Sequence, residues 1–297
     1  MKKDLKNALA KSTAEQYEAN WDKFKKFVDK HLKKSTLPAS TRTVSLYVTY
    51  MHNNLSLKES TIRNHLSAIT YRHNIKGFPS PCGNYVIESL LHGYRKCDPP
   101  PVLRNALTAD VLNALVQSIH RSEQGYVRYL LATSFILMYH ALLRCSEVAF
   151  KEDAPHALLS HQIKVVRQMD GEFVKISFDT FKHSKKCPPP MYVSATGDSL
   201  CPVAAVKKFI KWRNRGSTYF FCLAGGDPVS RSLLVKKLKE HLAVCGFKEN
   251  HFNTHSLRIG KATDMDREGI PHEAIRLAGR WSSKAYLKYI KPAIIKI

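Results

Sequence analysis

Three consecutive prolines, Pro99 to Pro101, restrict this chain more than any other stretch of it. Proline fixes φ, removes a backbone donor and forces the preceding residue out of helical geometry. Asp98-Pro-Pro-Pro-Val-Leu-Arg104 therefore reads as extended chain, and it divides the 297 residues into two parts, 1–97 and 105–297, with 98–104 as linker.

The first part is helical by periodicity. Tyr17, Trp21, Phe24, Phe27 and Val28 recur at three- and four-residue steps, predicting a helix over 12–31 with Thr13 and Gln16 as a capping box. Val44, Tyr47, Val48 and Met51 predict a second over 40–53. Ile62, Leu66 and Ile69 predict a third over 58–73, and a fourth runs near 84–95. The aromatic stripe reads as core. Lys23, Lys26, Arg63, His65 and Arg72 are assigned to the opposite faces, as a solvated surface in the first place and as nucleic-acid phosphate contacts in the second.

The second part mixes helices with a small sheet. Helices are expected from Thr108 through His120, over 125–142, and at 202–214, 229–244, 256–269 and 271–279. Strands are expected over 162–168 and 173–178, flanking Asp170-Gly171 as a hairpin signal, with a third over 191–194. The expected fold is mainly α: an N-terminal helical unit, then an α+β unit with a small antiparallel sheet. No βαβ series and no Gly-rich phosphate loop is present.

With 47 Lys+Arg against 24 Asp+Glu, the formal charge is +23. Residues 1–104 carry +10 of it and the remainder +13, so both parts are basic. A polyanion gripped from two sides is the simplest partner, and nucleic acid is the expectation. A hydrophobic content of 44% argues against global disorder. Seven scattered cysteines without CxxC spacing fit reduced thiols in an intracellular protein better than a zinc ribbon or disulfide framework. No apolar run is long enough to span a membrane, and the first residues lack the apolar stretch of a signal peptide.

The residues able to carry chemistry concentrate in two places. In Ala141-Leu-Leu-Arg144-Cys-Ser-Glu147, an arginine emerges from an apolar run with a carboxylate three residues on, a pairing that offsets its burial. In His255-Ser-Leu-Arg258-Ile-Gly260, an imidazole and a guanidinium three apart share a helix face, suited to an oxyanion that exchanges protons. Leu277-Ala-Gly279-Arg280-Trp281 follows, and then Tyr286 and Tyr289. His251 and His255 have helical metal-ligand spacing but lack a carboxylate or thiolate partner, so no metal and no cofactor is expected.

In this order the three segments resemble the boxes of the tyrosine recombinase (phage integrase) family. Leu-Leu-Arg144-Cys-Ser-Glu147 is similar to its first-arginine motif, His255-x-x-Arg258 to its His-x-x-Arg box, and Gly279-Arg280-Trp281 with Tyr289 to its terminal box. The wording Gly-Arg-Trp-Ser-Ser…Tyr-x-x-Tyr-Ile is most similar to Crypton- and DIRS-like recombinases of eukaryotic mobile elements. The resemblance implies a core-binding (SAM-like) helical DNA-binding domain over 1–97 and a catalytic domain over 105–297.

It also implies a function: site-specific DNA recombination through a 3′-phosphotyrosine, without metal or ATP. Tyr289 is the implied nucleophile, preferred to Tyr286 because Tyr289-Ile290 matches the family ending. Trp281 stands where many members have His, and its spacing of eight residues to Tyr289 is one shorter than in many bacterial members. Arg144 and Arg258 are the implied phosphate clamp, and His255 moves the tyrosine proton. Glu147 orients Arg144, and Trp281 donates its indole N–H and packs the tyrosine segment. Lys182, with Lys185 as second choice, protonates the 5′-oxygen. A homo-tetramer on DNA, a monomer when free, and a nuclear location in a eukaryotic host (otherwise cytoplasmic) go with this reading. An inactive DNA-binding relative and a type IB topoisomerase-like enzyme are the alternatives.

Overall fold

The computed structural model describes residues 8–100, 104–150, 156–179 and 189–290. Contacts divide the chain into two compact units, 1–101 and 102–297, each with its own core.

Among its described residues the first unit holds four helices: α1 (Lys11–His31), α2 (Thr41–Asn53), α3 (Glu59–Ile75) and α4 (Tyr85–Cys97). Their apolar stripes meet in a core of Trp21, Phe24, Val28, Val44, Tyr47, Met51, Ile62, Ile69, Ile87 and Leu91. The Ser40 side chain caps α2 at Thr43 N (3.2 Å), and Asn84 caps α4 at Val86 N (2.9 Å). The predicted Thr13–Gln16 box does not form. Helix α1 starts at Lys11, so Thr13 lies inside the first turn, and the N-cap Ala10 has no side chain able to accept.

The assignment of basic residues to open faces is also corrected. His65 is buried, with Nδ1 3.0 Å from the Tyr47 hydroxyl, and burial pushes its pKa down to about 4. Arg63 pairs with Glu59 and Glu88, and Arg72 pairs with Glu18 beside the Trp21 ring. Lys23, Lys26 and Arg63 are exposed as expected, and Arg72 is half-buried.

In the second unit, α5 (Ala109–Ser122) and α6 (Gly125–His140) precede a one-turn helix α7 (Cys145–Val148). Helix α6 is apolar nearly all round, and every residue from Leu130 to Tyr139 is buried. The sheet is antiparallel, ordered β1 (Ile163–Gln168), β2 (Gly171–Ile176), β3 (Met191–Ser194). Ile163 faces Ile176, and Val174 faces Val165 and Val193. The second strand begins two residues earlier than its β-rich composition predicts. The turn is Met169-Asp170, and Gly171 opens the strand at φ +131°, a backbone angle that side chains with a Cβ rarely adopt. Helices α8 (Pro202–Trp212), α9 (Arg231–Val244), α10 (Thr254–Arg267) and α11 (His272–Ala278) follow, and a 3₁₀ turn over Lys284–Lys288 leads to Tyr289. Among the described residues no helix is long and apolar enough to cross a membrane.

Candidate active site

The chain leaves the buried helix α6 through Leu142, whose φ is +48°. Arg144 then caps α7. Its backbone N donates to Glu147 Oε2 (2.8 Å) and its Nη1 to Glu147 Oε1 (3.2 Å), so the pair read from the sequence closes on itself over three residues. Glu147 is 3% exposed, which makes the pair a buried one. Removing one partner of such a pair costs about 3–5 kcal/mol, because the other charge is left without compensation.

Helix α10 starts at Asn253, whose side chain accepts from His255 N (2.8 Å) while Ser256 Oγ accepts from Asn253 N (3.2 Å). His255 and Arg258 therefore stand on the first turns of one helix. Gly260 is needed beside them, since a Cβ there would lie 1.7 Å from the Leu107 carbonyl oxygen. The side chain of Arg258 is buried. Its two Nη groups donate to the carbonyls of Leu142 and of Gly279 (2.9 Å), and its guanidinium carbon sits 4.7 Å from the Trp281 ring centroid. The Trp281 ring in turn lies against Gly279, where a Cβ would come within 1.7 Å of ring carbon Cζ3. The motif glycines are spaces for a backbone and a ring.

Tyr289 closes the arrangement. Its ring lies 4.7 Å from that of His255 and 5.0 Å from that of Trp281, and its carbonyl accepts from Thr263 Oγ1 (3.2 Å). Tyr286 is buried against Trp281 and His272 instead. A cavity of about 430 Å³ is lined by Arg144, His255, Arg258, Trp281 and Tyr289 together, and Tyr286 is not among its walls.

Arg104, Arg231 and Arg280 line the same cavity, and among the described residues no carboxylate does. Glu147 stands behind it, shared by Arg144 and by Arg280, whose Nη2 donates to Oε2 at 2.6 Å. One carboxylate thus pairs with two guanidinium groups, and it acts on Arg258 by charge alone. Burial and the neighbouring Arg144 lower the pKa of Arg258, and Glu147 opposes this. An arginine keeps its proton at neutral pH even so. The site holds excess positive charge in a low-dielectric place, which favours an anion. His255 responds the other way: burial first, then Arg258, Arg104 and Arg144, push its pKa down to about 4. It is neutral at pH 7 and able to take a proton.

Sequence reading missed Arg104, Arg231 and the side-chain role of Arg280. Arg104 had been placed in the linker, and Arg231 begins α9 with no motif around it. Lys182 and Lys185 lie outside the described residues, as does segment 291–297. Among the described residues no hydrogen bond from the Trp281 indole accompanies its packing. His251 falls in a separate 3₁₀ turn, Glu249–His251, so it does not share a helix with His255. Among the described residues no group of three potential metal ligands occurs.

No family model matches the chain. The recombinase Cre of Escherichia phage P1 is 23% identical over 286 residues, spanning 86% of this chain and 76% of Cre. The structure of the XerH site-specific recombinase bound to its palindromic difH substrate superposes with a TM-score of 0.65 at 14% identity, covering 93% of this chain and 75% of that one. The Tn1549 transposon integrase in complex with transposon right end DNA gives 0.60 at 14% identity, over 93% and 89%. A lambda integrase dimer bound to a core site gives 0.58 at 12% identity, over 92% and 71%. The chain has the fold of the tyrosine recombinases, the family its sequence motifs resemble.

Proposed function

We propose that this protein is a site-specific DNA recombinase that cuts and rejoins duplex DNA through a 3′-phosphotyrosine at Tyr289. The observation that carries this reading is the single cavity in which Tyr289 meets Arg144, His255, Arg258 and Trp281. The likeness to Cre supports it from the sequence side.

In this reading the Tyr289 oxygen attacks the scissile phosphorus while the bond to the 5′-oxygen breaks. One phosphodiester replaces another, so the bond energy is kept and ATP is not required. Charge grows on the non-bridging oxygens of the pentacoordinate transition state, and the forks of Arg144 and Arg258 meet it. His255, neutral and 4.7 Å ring to ring from Tyr289, takes the phenolic proton. Glu147 holds Arg144 in place. Lys182 is the proposed donor to the leaving 5′-oxygen.

The finer assignments belong to the same proposal. The Gly279-Arg280-Trp281-Ser-Ser…Tyr289-Ile wording supports a place among Crypton- and DIRS-like mobile-element recombinases. Action on chromosomal DNA then puts the protein in the nucleus of a eukaryotic host. Double-stranded DNA is the substrate, held by the helical unit as well as the catalytic unit, and recombination by four protomers follows from two duplexes with two cut strands each.

The test is a pool of nicked duplexes with a randomised core, incubated with the full chain. DNA that stays protein-linked in detergent is recovered and sequenced. Wild type is expected to enrich a sequence, and Tyr289→Phe to link none. DNA binding without linkage by wild type would favour an inactive DNA-binding relative. Relaxation of supercoiled plasmid without exchange between duplexes would favour a topoisomerase.

A further inference from the structure

Arg280 is a buried, strained cation of the second unit that this mechanism leaves without a role. Its backbone is left-handed, with φ +53°, which is unfavourable for any residue with a Cβ. Its side chain is 9% exposed, and burying a guanidinium is costly. A turn that needed only the backbone angle is best filled by glycine. Arginine at this position therefore points to a use for the side chain.

The contacts say what it is. Nη2 donates to Glu147 Oε2 at 2.6 Å, and Nη1 lies 3.9 Å from the Met191 sulfur at the start of β3. The guanidinium carbon sits 4.3 Å from the centroid of Phe178, which follows β2, and Nε is buried without a partner. Both Nη groups are thus engaged by protein atoms, although Arg280 also lines the cavity. The Arg280 carbonyl meanwhile accepts from Arg144 Nη2 at 3.4 Å. Arg144 is thus gripped on both sides: Glu147 Oε1 holds Nη1, and the backbone of Arg280 holds Nη2. Glu147 itself is fixed by Arg280 through its other oxygen.

We propose that Arg280 is a positioning residue for the phosphate clamp. It locks the Glu147 carboxylate and presents its own carbonyl to Arg144, so that the Arg144 guanidinium meets the scissile phosphate in one orientation. It also ties Phe178, just after β2, and Met191, the first residue of β3, to the segment that carries Trp281 and Tyr289. The inference rests on the recombinase reading given above and adds a residue to it.

The test uses the duplex recovered from the randomised pool and measures the first-order rate of covalent attachment at saturating protein, beside DNA affinity. Arg280→Gly keeps the left-handed turn and removes the guanidinium. The attachment rate is expected to fall about 10–100-fold, the usual range for a group that orients an active-site residue. DNA affinity and its salt dependence are expected to stay near wild type. In a Glu147→Gln background the same change is expected to cost less than about 3-fold, because the two residues act through one contact. An unchanged rate in Arg280→Gly overturns the proposal. So does an equal loss in both backgrounds, and so does a loss confined to affinity, which would make Arg280 a DNA contact. If Arg280→Gly does not fold, Arg280→Lys replaces it: a fall in rate at unchanged affinity supports the role, and a wild-type rate refutes it. Failure of wild type to attach at all would count against the recombinase reading instead.

Discussion

The guanidinium of Arg258 stacks on the indole of Trp281, 4.7 Å from its centroid, and the same ring lies 5.0 Å from that of Tyr289. One side chain thus walls both a clamp residue and the candidate nucleophile. Trp281→Ala empties a small cluster of Leu142, Ala262, Ile275 and Tyr286. It is expected to destabilise the protein by about 3–5 kcal/mol, read as a shift in the urea midpoint. Trp281→His keeps an aromatic ring over Arg258 and is expected to lose less than half as much.

Tyr289→Phe removes one oxygen and leaves the ring contacts with His255 and Trp281. It is expected to abolish covalent attachment while DNA binding persists. Tyr286→Phe, at a buried ring outside the cavity, is expected to leave attachment largely intact. Gel mobility in detergent reads the first effect, and a binding titration on the same duplex the second. Attachment by both variants would remove Tyr289 from the mechanism.

Acid should unfold this protein from a definite starting point. His65, His140 and His255 are each pushed down to about 4, by burial above all. Between pH 4 and 6.5 the unfolded chain therefore binds more protons than the folded one, and stability rises with pH across that window. It is complete above about 6.5 and is lost as pH falls toward 4. Each histidine adds at most about 1.4 kcal/mol per pH unit to the slope. Thermal melts from pH 7.5 to 4.5 check this. A midpoint that is flat below pH 6 would contradict the burial of these three imidazoles.

Arg231 stands at the start of α9 and lines the cavity beside Arg104. It also lines an adjoining groove with Lys239, Asn250 and Asn253. Arg231→Ala is expected to weaken DNA binding about equally across sequences. The slope of log affinity against log salt should drop by about one, as for the loss of one phosphate contact. Binding titrations at four or five salt concentrations measure it. An unchanged slope would take Arg231 off the DNA.

Gly260 and Leu107 set a steric limit. Gly260→Ala would drive a methyl group into the Leu107 carbonyl, with a clash too deep for a side chain to relieve. A loss of at least about 3 kcal/mol is expected, at the upper end of overpacking. Equilibrium unfolding provides the measurement.

The parts of the site legible in the sequence are those set by local spacing. Arg144 and Glu147, or His255 and Arg258, are three residues apart, and a helical turn brings each pair together whatever surrounds it. Arg280 belongs to the Gly-Arg-Trp motif, but nothing local assigns its side chain a role, because its carboxylate partner lies 133 residues away. Arg104 and Arg231 reach the cavity through tertiary packing alone. His65 shows the opposite error. It sits in step with Ile62, Leu66 and Ile69, yet its residue type put it on the opposite face. The Tyr47 hydroxyl, which makes its burial tolerable, comes from another helix. Strand β2 was displaced because Gly171 reads as a turn residue, and here it begins the ladder.

The neutral state of His255 has a reciprocal side. Burial above all keeps a proton off this ring, and the arginines that add to the effect are the groups an entering phosphate would screen, so an anion in the cavity is expected to raise the affinity of the ring for a proton. Linkage then requires the converse: each proton bound at His255 strengthens the hold on the anion by the same factor. Association with DNA near pH 5 should therefore draw protons from the buffer, and the heat of binding should vary with the ionisation enthalpy of the buffer chosen.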